Sequence, residues 1–201
     1  MITRDERIEL IKKIPSAWSE HIEFAEWLVK KKNPSVIVDL GVDYGFSTFS
    51  FALPEIGEIY GIDCFEGDEH AGFRNTFKYV NLKKKQLRYK NITFIKDYFD
   101  NCAKEWSLPI DILHIDGRHK YEDIENDYQT WSKFLNENGV ILLHDTCCYN
   151  SDYGVHEFFD QINISKVNFT NSFGLGIITN DEQLLDDIKK NFYDILDTKY
   201  T

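Results

Sequence analysis

Cysteine is scarce in this chain of 201 residues, and its spacing excludes two common uses. The four cysteines are Cys64, Cys102, Cys147 and Cys148, and none of them forms a C-x-x-C pair. Neither a disulfide framework nor a zinc ribbon is built from such a pattern. The pattern is typical of small buried thiols in a reducing compartment, so we expect a cytoplasmic protein.

An excess of basic charge and long apolar runs are also lacking. The net charge is −11, and because an acidic surface repels phosphate backbones we expect no nucleic-acid partner. No apolar run approaches the ~18 residues of a membrane span, and MITRDERIELIKKI is too polar for a signal peptide. One basic run, KKKQLRYK at 83–90, is either a solvated helix face or a contact to a phosphate-bearing substrate.

What the chain does have is a regular alternation of apolar runs and helical patterns. Amphipathic spacing predicts two N-terminal helices, at 3–14 and 17–31. Five apolar runs follow, at 35–41, 58–63, 92–97, 110–116 and 139–145. Helical patterns lie between them at 46–53, 71–89, 98–106 and 119–135, and further helices are predicted at 155–162 and 182–197. This alternation predicts an α/β fold with a doubly wound parallel sheet, and the runs SKVNFTN and GLGIITN suit an antiparallel edge pair.

The first apolar run leads into VDLGVDYGFST, which has the residues of a ligand cradle. Gly41 and Gly45 bracket a tight strand-to-helix turn, after which the helix amides and Ser47 face a ligand. Asp43 stands where a dinucleotide motif has its central glycine, so a pyrophosphate would meet the charges of Asp43 and Asp39. S-adenosylmethionine, with two positive centres and no phosphate, suits the turn better, although an ordinary tight loop would use the same residues.

Acidic residues also end the second and third runs. In doubly wound sheets, ligands bind beyond the carboxyl ends of the strands, where Asp63 is suited to accept ribose hydroxyls. NAD and S-adenosylmethionine both carry a ribose, so Asp63 supports the class of ligand without choosing between them. Asp97 and Tyr98 end the third run, where by analogy an adenine would be held.

Two further runs end in histidine and aspartate. DILHIDGRHKYED contains His114, Asp116 and His119, and GVILLHDT contains His144 and Asp145. Because neighbouring parallel strands end at the same edge of a sheet, we expect Asp116, His119 and Asp145 to face one crevice. His114 lies one layer deeper and is expected to be buried. Each residue alone would also suit a helix cap or a strand end.

Five blocks in this order resemble a family of bacterial class I S-adenosylmethionine-dependent methyltransferases, often encoded with glycosyltransferases that build surface glycans. The blocks are DLGVDYGFST, YGIDCFEGDEHAGF, DILHIDGRHKYEDIENDYQTW, GVILLHDT and FGLGIIT. The resemblance covers about 36–179 and implies a Rossmann-like, mostly parallel seven-stranded sheet with an antiparallel edge pair. This core would lie between N-terminal helices (1–32) and a C-terminal helix (181–201) in a single domain, with the cofactor at Asp39–Gly45 and Asp63.

The string DGRH is also similar to the DGSH of metal-dependent macrolide-sugar O-methyltransferases. By that resemblance Asp116 is a metal ligand beside the cofactor, His119 is the general base, and His144 and Asp145 complete the metal site. His144 replaces an acid of the pattern, and Mg²⁺ prefers oxygen ligands. The metal is therefore Mg²⁺ held weakly, another divalent ion, or absent.

The leading hypothesis is O-methylation of a hydroxyl on a sugar or glycan precursor, such as a nucleotide-linked sugar. Asp68, Glu69 and His70 would then contact the acceptor, unless they form an ordinary polar loop. The alternatives are a metal-dependent hydrolase that uses HxDxxH and HD, an NAD-dependent oxidoreductase and a non-enzymatic binding module. The N-terminal helices, in which His21 is expected at the surface, could pack between subunits of a homo-oligomer.

Overall fold

A computed structural model describes residues 2–69 and 72–200 of the chain. Seven strands, numbered along the chain, are β1 Val36–Leu40, β2 Glu58–Asp63, β3 Ile92–Lys96, β4 Ile110–Ile115, β5 Leu135–His144, β6 Lys166–Phe169 and β7 Leu175–Ile178. They form one sheet in the order β3-β2-β1-β4-β5-β7-β6. The chain divides into two compact units, Met1–Trp106 and Ser107–Thr201. In the ranges that are described, no helix has the length and apolarity to cross a membrane.

Among its described residues, 2–69 and 72–106, the first unit has three parallel strands and five helices. The helices are α1 Arg4–Ile11, α2 Ile22–Lys32, α3 Phe46–Phe51, α4 Phe77–Leu87 and α5 Phe99–Glu105, with a 3-10 turn at Ser19–His21. Strands β1 and β2 pair in parallel, as do β2 and β3. All five residues of β1 are buried, which fits a central strand covered on both faces.

The second unit joins a parallel pair to an antiparallel edge. Its helices are α6 Tyr121–Trp131, α7 Val155–Gln161 and α8 Glu182–Asn191, with 3-10 turns at Ser132–Phe134, Tyr193–Ile195 and Thr198–Tyr200. Strand β5 runs parallel to β4 and antiparallel to β7, which in turn pairs antiparallel with β6. The register places His144, at the end of β5, opposite Leu175.

The predicted fold class is confirmed, since all five apolar runs form strands and the last two runs form an antiparallel pair. One helix begins later than its pattern indicated, at Phe77 instead of 71. Gly67 and Gly72 have φ of +69° and +84° and turn the chain back on itself. The amide of Arg74 then donates to the carbonyl of Glu66 at 2.9 Å, so a loop occupies the predicted first turns.

The N-terminal helices differ from expectation in their bounds, since α1 ends at Ile11 and α2 begins at Ile22, and in the burial of one residue. His21 was expected at the surface but is fully buried, with its ring edge-on to Trp18 at a centroid distance of 5.2 Å. It lies in the 3-10 turn Ser19–His21, where a continuous α-helix was predicted, so the faces of that helix do not apply to it. Nearby, the buried carboxylate of Glu26 accepts hydrogen bonds from Arg4 and Lys30, which joins α1 to α2.

Candidate active site

The turn after β1 has the tight left-handed geometry that its glycines predict. Gly41, Asp43 and Gly45 have φ of +91°, +46° and +86°. A Cβ at Gly45 would lie 2.7 Å from the ring of Phe49, so only glycine fits there without a shift. The turn leads into α3, whose first residues are buried. We call residues 41–45 the glycine turn.

Asp39 lies beneath this turn. It is fully buried, and its carboxylate accepts hydrogen bonds from the hydroxyls of Ser47 at 2.9 Å and Thr48 at 2.5 Å. Asp39 and Ser47, both predicted to contact a cofactor, therefore contact each other. Charge-assisted hydrogen bonds of this kind hold the start of α3 against the end of β1.

Asp63 holds the glycine turn from the next strand. Its carboxylate accepts from the amides of Val42 at 2.9 Å, Asp43 at 2.8 Å and Phe65 at 2.6 Å. Burial raises the pKa of Asp63, and these hydrogen bonds oppose the rise. The acid at the end of β2 thus fixes the conformation of the loop beside which a ribose was predicted.

Arg74 is a residue of this region that the sequence did not single out. Its guanidinium forms a bidentate pair with Asp43, at 2.9 and 2.6 Å, and lies over the ring of Tyr44. The pair neutralises Asp43, so the charge of Asp43 no longer argues against a pyrophosphate. Arg74 is 31 positions away from Asp43 in the chain, and no local spacing connects them.

The remaining predicted residues of the first unit lie at the surface or outside the described ranges. Asp97 is exposed just before α5 and accepts hydrogen bonds from the Tyr98 amide and from the Asn101 side chain. Tyr98 is 61% exposed. Asp68 is half-buried and Glu69 is exposed. His70, the third predicted acceptor contact, lies outside the described residues.

The second unit brings together the four residues that the sequence proposed for chemistry. Nε2 of His119 lies 2.8 Å from Oδ2 of Asp145 and 3.7 Å from Oδ1 of Asp116. Nδ1 of His144 lies 3.3 Å from Oδ1 of Asp116 and 3.5 Å from Oδ2 of Asp145. The side chain of Asp116 is 22% exposed, and those of the other three are more deeply buried. We call these four residues the histidine–aspartate cluster.

A hydrogen bond at Nε2 holds the ring of His144 in place. Its Nε2 lies 2.9 Å from the carbonyl oxygen of Ser172, which only accepts, so Nε2 carries a hydrogen. Nδ1 then faces the two carboxylates. It holds either a proton or a lone pair aimed at a cation between Asp116 and Asp145. A metal-binding histidine commonly has the same arrangement, with its distal N–H donated to a carbonyl.

In the cluster, the attraction between the histidines and the carboxylates favours their charged forms more strongly than burial opposes them. Burial opposes the imidazolium of His119, but hydrogen bonds that it donates to Asp116 and Asp145 raise its pKa to about 10. Burial likewise opposes the charge of His144, and the charge of Asp116 raises that pKa to about 10. Burial favours neutral carboxyls, but the histidines hold the pKa of Asp145 at about 2 and that of Asp116 well below its usual value. Two imidazolium and two carboxylate groups therefore balance at neutral pH.

Neighbouring residues hold His119 and Asp145 in place. The ring of Tyr153 stacks on His119 at a centroid distance of 4.7 Å, and the amide of Gly154 donates to the His119 carbonyl at 2.7 Å. The thiol of Cys148 donates to Asp145 at 3.3 Å. No local pattern in the sequence indicated that Tyr153 covers the histidine. His114 is fully buried, as expected.

Residues 38–146, more than half of the chain, match the family model of a methyltransferase domain, Methyltransf_24. The chain belongs to this methyltransferase family. The matched range runs from β1 to just beyond β5 and includes the glycine turn and all four residues of the histidine–aspartate cluster. Membership in this family is evidence against the hydrolase and oxidoreductase alternatives.

Two relatives of the methyltransferase are longer than this chain. Protein y4gI of Sinorhizobium fredii is 33% identical over 172 residues, which are 81% of this chain and 19% of y4gI. Protein R132 of Acanthamoeba polyphaga mimivirus is 31% identical over 123 residues, 57% of this chain and 53% of R132. The chain thus spans about a fifth of the first relative and about half of the second.

A solved structure shares the fold of the methyltransferase. The O-methyltransferase of Bacillus cereus, in complex with SAH, has a TM-score of 0.68 and 13% sequence identity. The likeness covers 89% of this chain and 93% of that chain. It establishes the Rossmann-like methyltransferase fold, with its seven-stranded mixed sheet.

Proposed function

We propose that this methyltransferase domain transfers the methyl group of S-adenosylmethionine to a hydroxyl of a sugar or glycan precursor. The observation that carries the proposal is the histidine–aspartate cluster, in which Nε2 of His119 lies 2.8 Å from Asp145 within a methyltransferase domain. The solved O-methyltransferase that shares the fold is in complex with SAH, the product left when S-adenosylmethionine loses its methyl group. That complex supports the choice of cofactor.

The first unit would bind the cofactor. The glycine turn allows close approach of a ligand to the backbone, and Asp63 is suited to accept the ribose hydroxyls. Asp39 and Ser47 would keep the turn in this conformation through their mutual hydrogen bond. Asp97 and Tyr98 lie at the exposed end of β3, where an adenine edge would find polar and aromatic partners.

The second unit would prepare the acceptor. In the reaction the hydroxyl oxygen bonds to the methyl carbon as the carbon–sulfur bond breaks, and the hydroxyl proton passes to Nε2 of His119. A positioned base of this kind contributes roughly 10²–10⁴-fold to the rate. His119 accepts a proton only in its neutral form, so the charges of Asp116 and Asp145 that raise its pKa must be offset when the acceptor is bound.

The donor set fits a divalent cation. Asp116 and Asp145 supply carboxylate oxygens and His144 supplies Nδ1, and these atoms all lie within 4.8 Å of one another. An imidazole nitrogen beside two carboxylates suits Mn²⁺ or Zn²⁺ better than Mg²⁺. When bound, such an ion would neutralise the carboxylates and lower the pKa of a hydroxyl that contacts it.

Isothermal titration calorimetry with SAH tests the cofactor. We expect binding by the wild type and at least tenfold weaker binding by Asp63→Asn, because the substitution removes a carboxylate that orders the glycine turn. Glu58→Gln, at the exposed start of the same strand, is the matched control and should bind SAH normally. Lack of SAH binding at millimolar ligand would refute the proposal. Tritium transfer from labelled S-adenosylmethionine to a set of nucleotide sugars, with His119→Ala as the inactive variant, then tests the acceptor class.

A further inference from the structure

The turn before β7 has an unusual backbone. Ser172, Phe173 and Gly174 have φ of +49°, +68° and +94°, three consecutive left-handed residues. Glycine adopts this conformation without penalty, whereas a bulky aromatic residue there is an outlier. The side chain of Phe173 is also 56% exposed to solvent. Glycine would therefore suit the backbone better at position 173, and it would leave no apolar ring in water.

Backbone carbonyls of this turn accept hydrogen bonds from residues of the histidine–aspartate cluster. The Ser172 carbonyl accepts from Nε2 of His144 at 2.9 Å, and the Gly174 carbonyl accepts from the amide of Asp145 at 3.1 Å. The Phe173 carbonyl accepts from the amide of Cys147 at 2.8 Å. Three successive carbonyls of the turn thus hold residues at and just beyond the end of β5. Backbone strain that surrounding contacts maintain beside a functional group is a known feature of ligand-binding sites.

Two tyrosines lie beside residues that the turn and the histidine–aspartate cluster contain or hold. Tyr149, two residues beyond Cys147, is 72% exposed, and Tyr153 stacks on His119. Exposed aromatic side chains beside buried polar groups are the usual lining of sites that bind ring-shaped ligands. Phe173 differs from the tyrosines because its ring is displayed by a strained backbone.

We propose that Phe173 is a specificity-determining residue that packs on the flat apolar ring face of the methyl acceptor. The inference rests on the proposed function, since it places the acceptor beside the histidine–aspartate cluster. A pyranose and a phenolic ring both present such a face next to a hydroxyl, so either could supply it. The turn orients the ring, and the contact with the acceptor offsets the unfavourable backbone of Phe173.

The test compares Phe173→Gly with Arg88→Gly in the full chain, since Arg88 has φ of +61° and lies exposed at the end of α4 in the first unit. Both substitutions relieve a left-handed residue, but only the first removes the ring. Titrations followed by saturation-transfer NMR, with SAH present, would use methyl β-D-glucopyranoside and catechol as probes. We expect the wild type to bind at least one probe, Phe173→Gly to bind it at least fivefold more weakly, and Arg88→Gly to stay within twofold of the wild type. The probe that binds identifies the pyranose or the phenolic ring as the source of the face.

Melting temperatures supply a second readout. If Phe173 is retained for ligand contact, Phe173→Gly should melt at or above the temperature of the wild type. A fall of several degrees would mean that the ring supports the fold and would overturn the proposal. Equal probe affinity in Phe173→Gly, equal losses in both variants, or no probe binding by the wild type would also overturn it. Failure of the proposed function is distinguishable, because it appears as loss of SAH binding by the wild type in calorimetry.

Discussion

Replacing Asp145 with asparagine should flatten the pH dependence of stability in the metal-free protein. In the wild type, His119 and His144 have pKa values of about 10 in the folded state, against an ordinary value of 6.5. Their stabilising effect is therefore complete below pH 6.5 and is lost as the pH rises through 10. The Asp145→Asn variant would keep the left-handed backbone of this position, φ +63°, which asparagine tolerates as well as aspartate does.

The size of the effect follows from proton linkage. For each proton that only the folded state holds, the free energy of unfolding falls by about 1.4 kcal/mol for every unit by which the pH rises. A histidine whose pKa shifts from 6.5 to about 10 on folding thus stabilises the folded state by on the order of 5 kcal/mol. Both histidines draw on the same two carboxylates, so their gains are not independent, and we expect the pair to lose about 3 kcal/mol between pH 7 and 9. Without the charge of the Asp145 carboxylate the loss should be less than half as large.

Urea unfolding at pH 7, 8 and 9 in the presence of a chelator measures these slopes. Asp160→Asn is the matched control, because its carboxylate pairs with Lys199 in the same unit and has a lowered pKa that matters only in acid. That variant should keep the slope of the wild type. The prediction is contradicted if the free energy of unfolding of the wild type falls by less than about 1 kcal/mol over this range, or if that of Asp145→Asn falls as much as that of the wild type.

Two further predictions concern a structural ion pair and the cation. Glu26→Gln should reduce stability at pH 7 by about 1 kcal/mol, since its partners Arg4 and Lys30 are half-exposed. The pKa of Glu26 is lowered to about 2, so the difference in stability between the wild type and Glu26→Gln should persist above pH 4.5 and vanish as the pH falls through 2. Urea unfolding at pH 2, 4 and 7 measures this difference. A difference that stayed constant over these pH values would contradict the assignment. Excess Mn²⁺ should raise the melting temperature more than equal Mg²⁺, and His144→Ala should abolish the difference. An equal response to both ions in the wild type would exclude a ligand role for His144.

The order of strands and helices could be predicted because it depends on local patterns. Continuous apolar runs such as VIVDL have too many buried side chains for a surface helix, and their flanking glycines and acids mark the ends. The same logic placed Asp116 and Asp145 at neighbouring strand ends, and their oxygens lie close together. Strand-end chemistry is predictable because parallel strands bring their carboxyl ends to one edge.

Partners from distant parts of the chain could not be predicted in this way. Arg74 pairs with Asp43 only because the loop after β2 folds back, and that pairing removes the charge of Asp43 as an argument against a pyrophosphate. His21 is buried because its ring packs against Trp18 in a 3-10 turn, whereas the sequence predicted a continuous helix there. In both cases a contact through space decided the role, and spacing along the chain did not record it.

By itself the sequence determined the α/β class, the resemblance to methyltransferases and the identity of the histidine–aspartate cluster, because these follow from periodicity and from strand ends. Only the tertiary structure decided what each group faces. The Ser172 carbonyl lies within hydrogen-bond distance of Nε2 of His144, and the ring of Tyr153 stacks on His119. Phe173, the next residue after Ser172, has a left-handed backbone. Protonation, tautomer and strain depend on atoms a few ångströms away, and residues far apart in sequence supply those atoms.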